Sequence, residues 1–350
     1  MEKNQKIKCV IWDLDNTVWH GILSEHDNVT LRENIENIIK TLDSRGILQS
    51  ISSKNEYNDA MDKLVEFGLD AYFLYPQINW GSKSHSVNSI REKLNIGMDT
   101  IAFIDDQPFE RDEVGSVYPQ VRCLDVSQIS LLTNREDMHP RFITSESVVR
   151  RKMYLQDEQR NLEEKEMGNN HAFLEGLNMK FMIEEATVED LNRVEELTIR
   201  TNQLNATGYT YSYEELKGFL NSTSHELLVC ELEDKYGSYG KIGVALLEKS
   251  EEDWYINLLL MSCRVMSRGV GAVLLNYLVN KSVKTKKKLY AKFYHTGRNR
   301  MMYIAYKFAG FEISSRIDEN AELLIHNGTS SHDYPHYIKL QFPANTRVPG

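Results

Sequence analysis

From Ile7 to about Arg135, short apolar runs bounded by turn residues alternate with stretches of helical periodicity: KCVIW, NIENIIKTLDSRG, ILQSISS and DAMDKLVEFG in turn. Strands alternating with helices predict a parallel, doubly wound α/β sheet, whose ligands sit at the carboxyl ends of the strands. Between Ser145 and Leu177 the β-branched runs stop after Val149, and Arg, Glu, Gln and Met take over, which predicts a charged connecting helix. A second α/β unit follows. It has MKFMIEEAT as a strand, VEDLNRVEELTIRTNQLN as a helix, ELLVCEL, KIGVALLE and WYINLLLMSC as strands, and VGAVLLNYLVNKSV as a helix. The expected organisation is one domain over residues 1–140, a helical linker over 141–178 and a second domain over 179–345.

Composition agrees with two folded domains, since 350 residues exceed what a single core ordinarily organises. The 41 basic and 51 acidic side chains leave a formal charge of -10, which opposes broad contact with nucleic acid or an anionic membrane. An anionic ligand must therefore be held locally. Cys9, Cys123, Cys230 and Cys263 are scattered without CxxC spacing, which fits a reducing cytoplasm and no zinc or disulfide framework. The apolar stretch before Asp13 is too short for a signal segment or a membrane span, so a cytoplasmic protein is expected.

The first constellation begins at Asp13-Leu14-Asp15-Asn16-Thr17, directly after the run Cys9 to Trp12, where a strand end meets the cleft. Strand alternation puts Asp13 and Asp15 on one side if the extended geometry continues. One carboxylate can then attack phosphorus while the other handles the proton on the leaving or entering oxygen. Ser52, Ser53 and Lys54 close the second apolar run, Lys83 lies in WGSKS, and Asp105-Asp106 follows IAFI. A phosphoryl group in flight needs in-line positioning and charge compensation, which hydroxyls, lysine and Mg2+ supply. Hard oxygen ligands for Mg2+ are available from Asp13, the backbone carbonyl of Asp15, and Asp106 or Asp105.

This order of motifs resembles the haloacid dehalogenase superfamily of phosphatases. The resemblance implies Asp13 as nucleophile, Asp15 as general acid/base, Ser53 or Ser52 with Lys83 as phosphate holders, and Asp105/Asp106 at the metal. The short gap between Thr17 and the helix near Arg32 leaves no room for a large cap domain.

The second constellation is Cys263-Arg264-Val265-Met266-Ser267-Arg268-Gly269-Val270-Gly271, between a strand and an amphipathic helix. Arg-Gly-x-Gly at such a turn lets backbone N–H groups approach a phosphate at a helix N-terminus. With the strand LYAKFY and RNRMMYIAYKFAGFEI after it, the order resembles the GNAT acetyltransferase fold, which implies a pantetheine cleft near Arg264, Arg268, Gly269, Gly271 and Asn299. Cys263 stands where the strand opens into that cleft, and neighbouring arginines favour its thiolate. A buried cysteine that is only a small hydrophobe is the competing reading.

The pairing of the two halves, with WDLDNTVWHGIL, SSKN, YPQINWGSKS, FIDDQPFER, RTNQLN, LLLMSCRVMSRGVG and RNRMMYIAYKFAGF, resembles the FkbH-like glyceryl transferase/phosphatase family. The resemblance spans about Lys8 to Ile313. It implies capture and dephosphorylation of D-1,3-bisphosphoglycerate, and loading of the glyceryl group as a thioester onto the phosphopantetheine of an acyl carrier protein in polyketide assembly. In that scheme Cys263 takes the acyl group, and His295 is a candidate base for the incoming thiol. Thr201, Asn202, Gln203 and Asn205 are candidates for hydrogen bonds to the glyceryl hydroxyls or an oxyanion. Lys281, Lys284, Lys286, Lys287 and Lys288 form a basic edge that an acidic carrier could meet. The alternative is a Mg2+-dependent phosphatase of a free metabolite, with the second domain as lid or binding module.

Overall fold

In the computed structural model, which describes residues 6–25, 28–328 and 331–342, the chain divides into two compact units, Met1–Leu155 and Gln156–Gly350. The division falls inside the helix Arg150–Met167, within the charged segment expected to connect the domains. Residues 1–5 and 343–345 of the expected domains lie outside the described residues.

Five parallel strands form the first unit's sheet, in the order Gln77–Ile78, Leu48–Ser53, Cys9–Trp12, Ile101–Asp105, Arg122–Asp125. Cys9 and Ile11 join the apolar cluster on one face, while Val10 and Trp12 join the other, so the first strand is buried on both sides. That strand is central, and the connections leave it in opposite directions. Its carboxyl end is therefore the switch point, where the flanking loops part and open a crevice. Asp13 is the residue placed there. The chain then turns through Asn16, whose φ of 52° suits asparagine. A two-stranded antiparallel pairing, Trp19–His20 with Thr30–Leu31, follows.

The second unit carries eight strands in a mixed sheet, in the order Glu312–Asp318, Ala321–His326, Lys288–Tyr294, Asp253–Met261, Gly237–Lys249, His225–Asp234, Met179–Glu185, Ile338–Gln341. The strands Asp253–Met261 and Lys288–Tyr294 pair in parallel only over their first four residues and then part. Leu204–Ala206 fills the split. Ala206 N donates to Leu259 O at 3.0 Å, Met261 N to Leu204 O at 2.9 Å, and Tyr294 N to Ala206 O at 3.0 Å, so both separated edges stay hydrogen-bonded. The helix Gly271–Thr285 covers one face and the helices Leu191–Arg200 and Tyr213–Leu220 the other. Among the described residues no helix is long and apolar enough to cross a membrane.

Candidate active site

Asp13 leaves its strand with its backbone N–H donating to Ile104 O at 2.9 Å, which anchors it between the central strand and its neighbour. Its side chain is 9% exposed. Lys83 Nζ reaches it at 2.5 Å, and the same ammonium meets Asp105 Oδ2 at 2.9 Å and Ser52 O at 2.8 Å. Lys83 opens the helix Lys83–Leu94, whose first N–H groups are held by Glu113, with Lys83 N at 3.0 Å from Oε2 and Ser84 N at 3.2 Å from Oε1. A carboxylate at a helix N-terminus is favourably placed against the helix dipole, and here it also fixes where the lysine starts.

Burial pushes Asp13 up to about 7, against the pull of Lys83 and with the push of Asp105. Asp105 is raised by burial against the same lysine, and Asp106 by burial and by Asp105. Burial alone would lower Lys83, but the two aspartates outweigh it and raise its pKa, so it stays an ammonium. Carboxylate oxygens of Asp13, Asp105 and Asp106 come within 4.8 Å of one another. Three carboxylates face one ammonium, and the donors are all hard oxygens, which fits a divalent cation of the Mg2+ kind.

The Asp15 carboxylate is oriented by three donors: Trp19 Nε1 at 2.8 Å and Leu23 N at 3.1 Å to Oδ1, and Asn55 Nδ2 at 3.0 Å to Oδ2. It takes no part in the carboxylate cluster, so any share of Asp15 in holding a metal falls to its backbone carbonyl. Asn55 Nδ2 also lies 3.4 Å from Ser53 Oγ, which links Ser53 to the Asp15 carboxylate. The Ser52 hydroxyl is sealed in the fold with no partner, and Ser52 meets the site only through its backbone oxygen. Of the two serines, Ser53 is the one in reach of a phosphate. Lys54 is paired with Glu110 at 2.8 Å, not directed at the aspartates.

In the second unit, Cys263 begins a short 3-10 helix, Cys263–Arg268, and is partly exposed. The turn expected to meet a phosphate is held by contacts of its own. Arg264 Nη2 donates to Tyr239 O at 2.9 Å. Arg268 is 3% exposed and paired with Glu164 at 2.9 Å, while its Nε is buried with no hydrogen-bond partner. Gly269 has φ of 72°, and a Cβ there would stand 2.4 Å from the Tyr337 hydroxyl, so the turn is roofed by that ring. Gly271 starts the helix Gly271–Thr285 with open space beside it. Asn299 is buried, and its amide donates to Asn205 O at 2.9 Å and Tyr294 O at 2.8 Å. It stitches the split together and does not face a ligand.

His295 lies just past its strand with its ring against Phe293 and Tyr303, and Nε2 is 3.6 Å from Glu322 Oε2. Thr201 closes the helix Leu191–Arg200, its N–H donating to Leu197 O, while Asn202 and Gln203 are exposed. Asn205 is fully buried in the split. Its Oδ1 accepts from Thr207 N and Gly208 N, and its Nδ2 has no partner, an unused donor of the kind a carbonyl oxygen would satisfy. Of the basic edge, Lys281 is drawn into an ion pair with Glu226 and Lys287 donates to Glu251 O.

A cavity of about 580 Å³ adjoins this loop, lined by Tyr209, Tyr211, Phe219, Asn257, Lys292 and Tyr294 among others. Asn257 Oδ1 is buried there without a partner. Asn257, Lys292, Asn55 and Trp19 are not among the site residues expected from the sequence. The available signals were Asn55 inside SSKN, Trp19 inside WDLDNTVWHGIL and a charged residue, Lys292, within the strand LYAKFY.

No family model and no curated protein matches the chain. Among solved structures, the chain is similar to the N-terminal part of a Bacteroides fragilis protein, described as containing a phosphatase domain complexed with Mg. The identity is 28% over 36% of this chain and 38% of that one, at a TM-score of 0.30. The ribosomal-protein-S18-alanine N-acetyltransferase from Escherichia coli overlaps 45% of this chain and 99% of its own at 12% identity and a TM-score of 0.34. Arabidopsis thaliana NAA60 in complex with a bisubstrate analogue overlaps 43% and 99% at 18% identity and a TM-score of 0.34. At TM-scores of 0.30 to 0.34 none of these likenesses adds weight. The α/β class expected for both halves stands on the strand order, and the site on its own side chains.

Proposed function

We propose that the chain is a two-site enzyme. It removes phosphate from D-1,3-bisphosphoglycerate and passes the glyceryl group, through a Cys263 thioester, to the phosphopantetheine thiol of an acyl carrier protein. The observation that carries the phosphatase half is the Lys83 ammonium bridging Asp13 and Asp105, beside an Asp15 oriented by three donors. Asp13 Oδ attacks phosphorus, the phosphorus–oxygen ester bond breaks, and Asp15 delivers a proton to the leaving alkoxide. Water then attacks the phosphoaspartate with Asp15 taking its proton. Lys83 and Ser53 hold the phosphoryl oxygens. A Mg2+ ion held by Asp13, Asp105 and Asp106 would supply charge compensation at those oxygens.

At the acyl phosphate end, the Cys263 thiolate attacks the carbonyl and phosphate leaves with the bonding pair. The carrier thiol, losing its proton to His295, displaces Cys263 from the thioester. The unused Asn205 Nδ2 is the donor best suited to the thioester oxygen.

The test is intact-protein mass spectrometry of wild type and Cys263→Ala with enzymatically generated substrate, Mg2+ and holo carrier protein. A glyceryl-sized adduct on the wild type that moves to the carrier, and is absent in the variant, supports the two-site reading. Phosphate release with no mass gain on either protein overturns the thioester and leaves a phosphatase with an accessory second domain. The roofed Gly269 turn and the paired Arg268 favour that second reading.

A further inference from the structure

In the second unit, His171 and Glu175 lie one turn apart on the helix Asn170–Gly176, and His336 reaches them from the segment before the edge strand Ile338–Gln341. His336 Nε2 stands 3.0 Å from Glu175 Oε1, and His171 Nδ1 stands 3.7 Å from the same oxygen. One donor atom from each of the three side chains lies within 4.8 Å of the others. The imidazole centroids are 5.2 Å apart, and the Tyr337 ring is edge-on to both, at 6.2 Å and 5.7 Å.

We propose that His171, Glu175 and His336 form a binding site for a divalent transition metal, Zn2+ by its donor set, with water as the fourth ligand. Two imidazoles and one carboxylate suit Zn2+ and its neighbours, whereas Mg2+ and Ca2+ take oxygen. Donors bound at ~2.0–2.1 Å to a tetrahedral ion lie ~3.3 Å apart, and the two separations from Glu175 bracket that value. The i,i+4 spacing sets His171 and Glu175 on one helix face. His336 comes from 161 residues beyond Glu175, so the three converge only in the folded chain. His336 by a hydrogen bond and His171 by an i,i+4 contact both approach the same Glu175 oxygen, and all three side chains are exposed, so an ion can reach them from solvent.

The site clips a particular piece of chain. Tyr337, between His336 and the edge strand, carries the hydroxyl that roofs the Gly269 turn. An ion held by His336 therefore fixes the backbone that places this roof, ahead of the helix Gly271–Thr285.

The test is calorimetric titration of the metal-free full chain with Zn2+ in excess Mg2+, which occupies the acidic cluster of the first unit. The Co2+ visible spectrum serves as a second readout, because imidazole-bound tetrahedral Co2+ absorbs in the visible and a carboxylate-only site does so weakly. The expected result is one equivalent bound, with affinity at least ~tenfold weaker in His171→Ala and in His336→Gln. Hydrogen exchange over Ile338–Gln341 should slow on adding Zn2+ in the wild type and not in either variant. Glu175→Gln, which keeps a hydrogen-bonding partner for His336, should also lose the Co2+ bands. Wild-type stoichiometry and affinity in these variants, or no Zn2+ uptake by the wild type, overturns the proposal.

Discussion

Lys83 Nζ and Asp13 Oδ1 meet at 2.5 Å across 70 positions of sequence, with both side chains nearly sealed from solvent. Because Lys83 also serves Asp105, its removal leaves two buried carboxylates uncompensated. Lys83→Met should lower phosphate release at least ~100-fold and cost ~3–5 kcal/mol of stability in urea unfolding without Mg2+. Adding Asp13→Asn to it should recover part of the stability and none of the activity.

Asp13 also gives a pH signature. Its folded pKa of about 7 lies above the ordinary carboxylate value of 3.8, so the folded state favours the protonated form. The stability this contributes is fully present below about pH 4 and is lost as pH rises through about 7. Without Mg2+, wild-type stability should therefore fall by ~3 kcal/mol relative to Asp13→Asn across that window. Saturating Mg2+ should flatten the difference, because the ion favours the carboxylate. Parallel slopes for the two proteins without Mg2+ would falsify the raised pKa of Asp13.

Glu226 behaves in the opposite sense. Burial alone would raise it, but Lys249 at 2.5 Å and Lys281 hold it below the ordinary glutamate value. The stabilisation is present above about pH 4.5 and lost as pH falls through the lowered value. Glu226→Gln should therefore cost stability at neutral pH and little in acid, as read from thermal melts at both. It should also loosen Lys281 from its ion pair.

Gly269 should report the roof over its turn. Gly269→Ala carries the cost of a positive φ, ~1 kcal/mol, and in addition a clash with the Tyr337 hydroxyl at 2.4 Å. In a Tyr337→Phe background the nearest ring carbon stands 3.5 Å away, so the clash should vanish and only the φ cost remain. Equal costs in the two backgrounds, measured as a double-mutant cycle, would show that Tyr337 does not press on the turn.

Local patterns made much of this legible. The strands Cys9–Trp12 and Leu48–Ser53 and the helix Ile35–Ser44 follow from apolar runs and periodicity, which act over a few residues. Tyr209 and Tyr211 alternate and pack edge to face at 4.6 Å, but the alternation stops at Tyr213. Ser212 and Glu215 form a capping box there, and Tyr213 opens a helix. That signal was in the sequence, and reciprocal side-chain bonding to helix N–H groups outweighs a three-residue alternation.

The sequence by itself determined the α/β class of both halves, the strand end that carries Asp13 and the order of the acidic and basic groups after it. Only the tertiary structure decided that Ser53 rather than Ser52 shares Asn55 with Asp15, that Lys83 answers two aspartates and that Asn299 stitches a split sheet. It also withdrew Arg268 into an ion pair with Glu164 and brought His336 to His171 and Glu175. The physical reason is range. Periodicity and turn chemistry act between near neighbours, whereas the partner of a buried charge or amide depends on strand register and on where each crossover lands, which no local run of residues encodes.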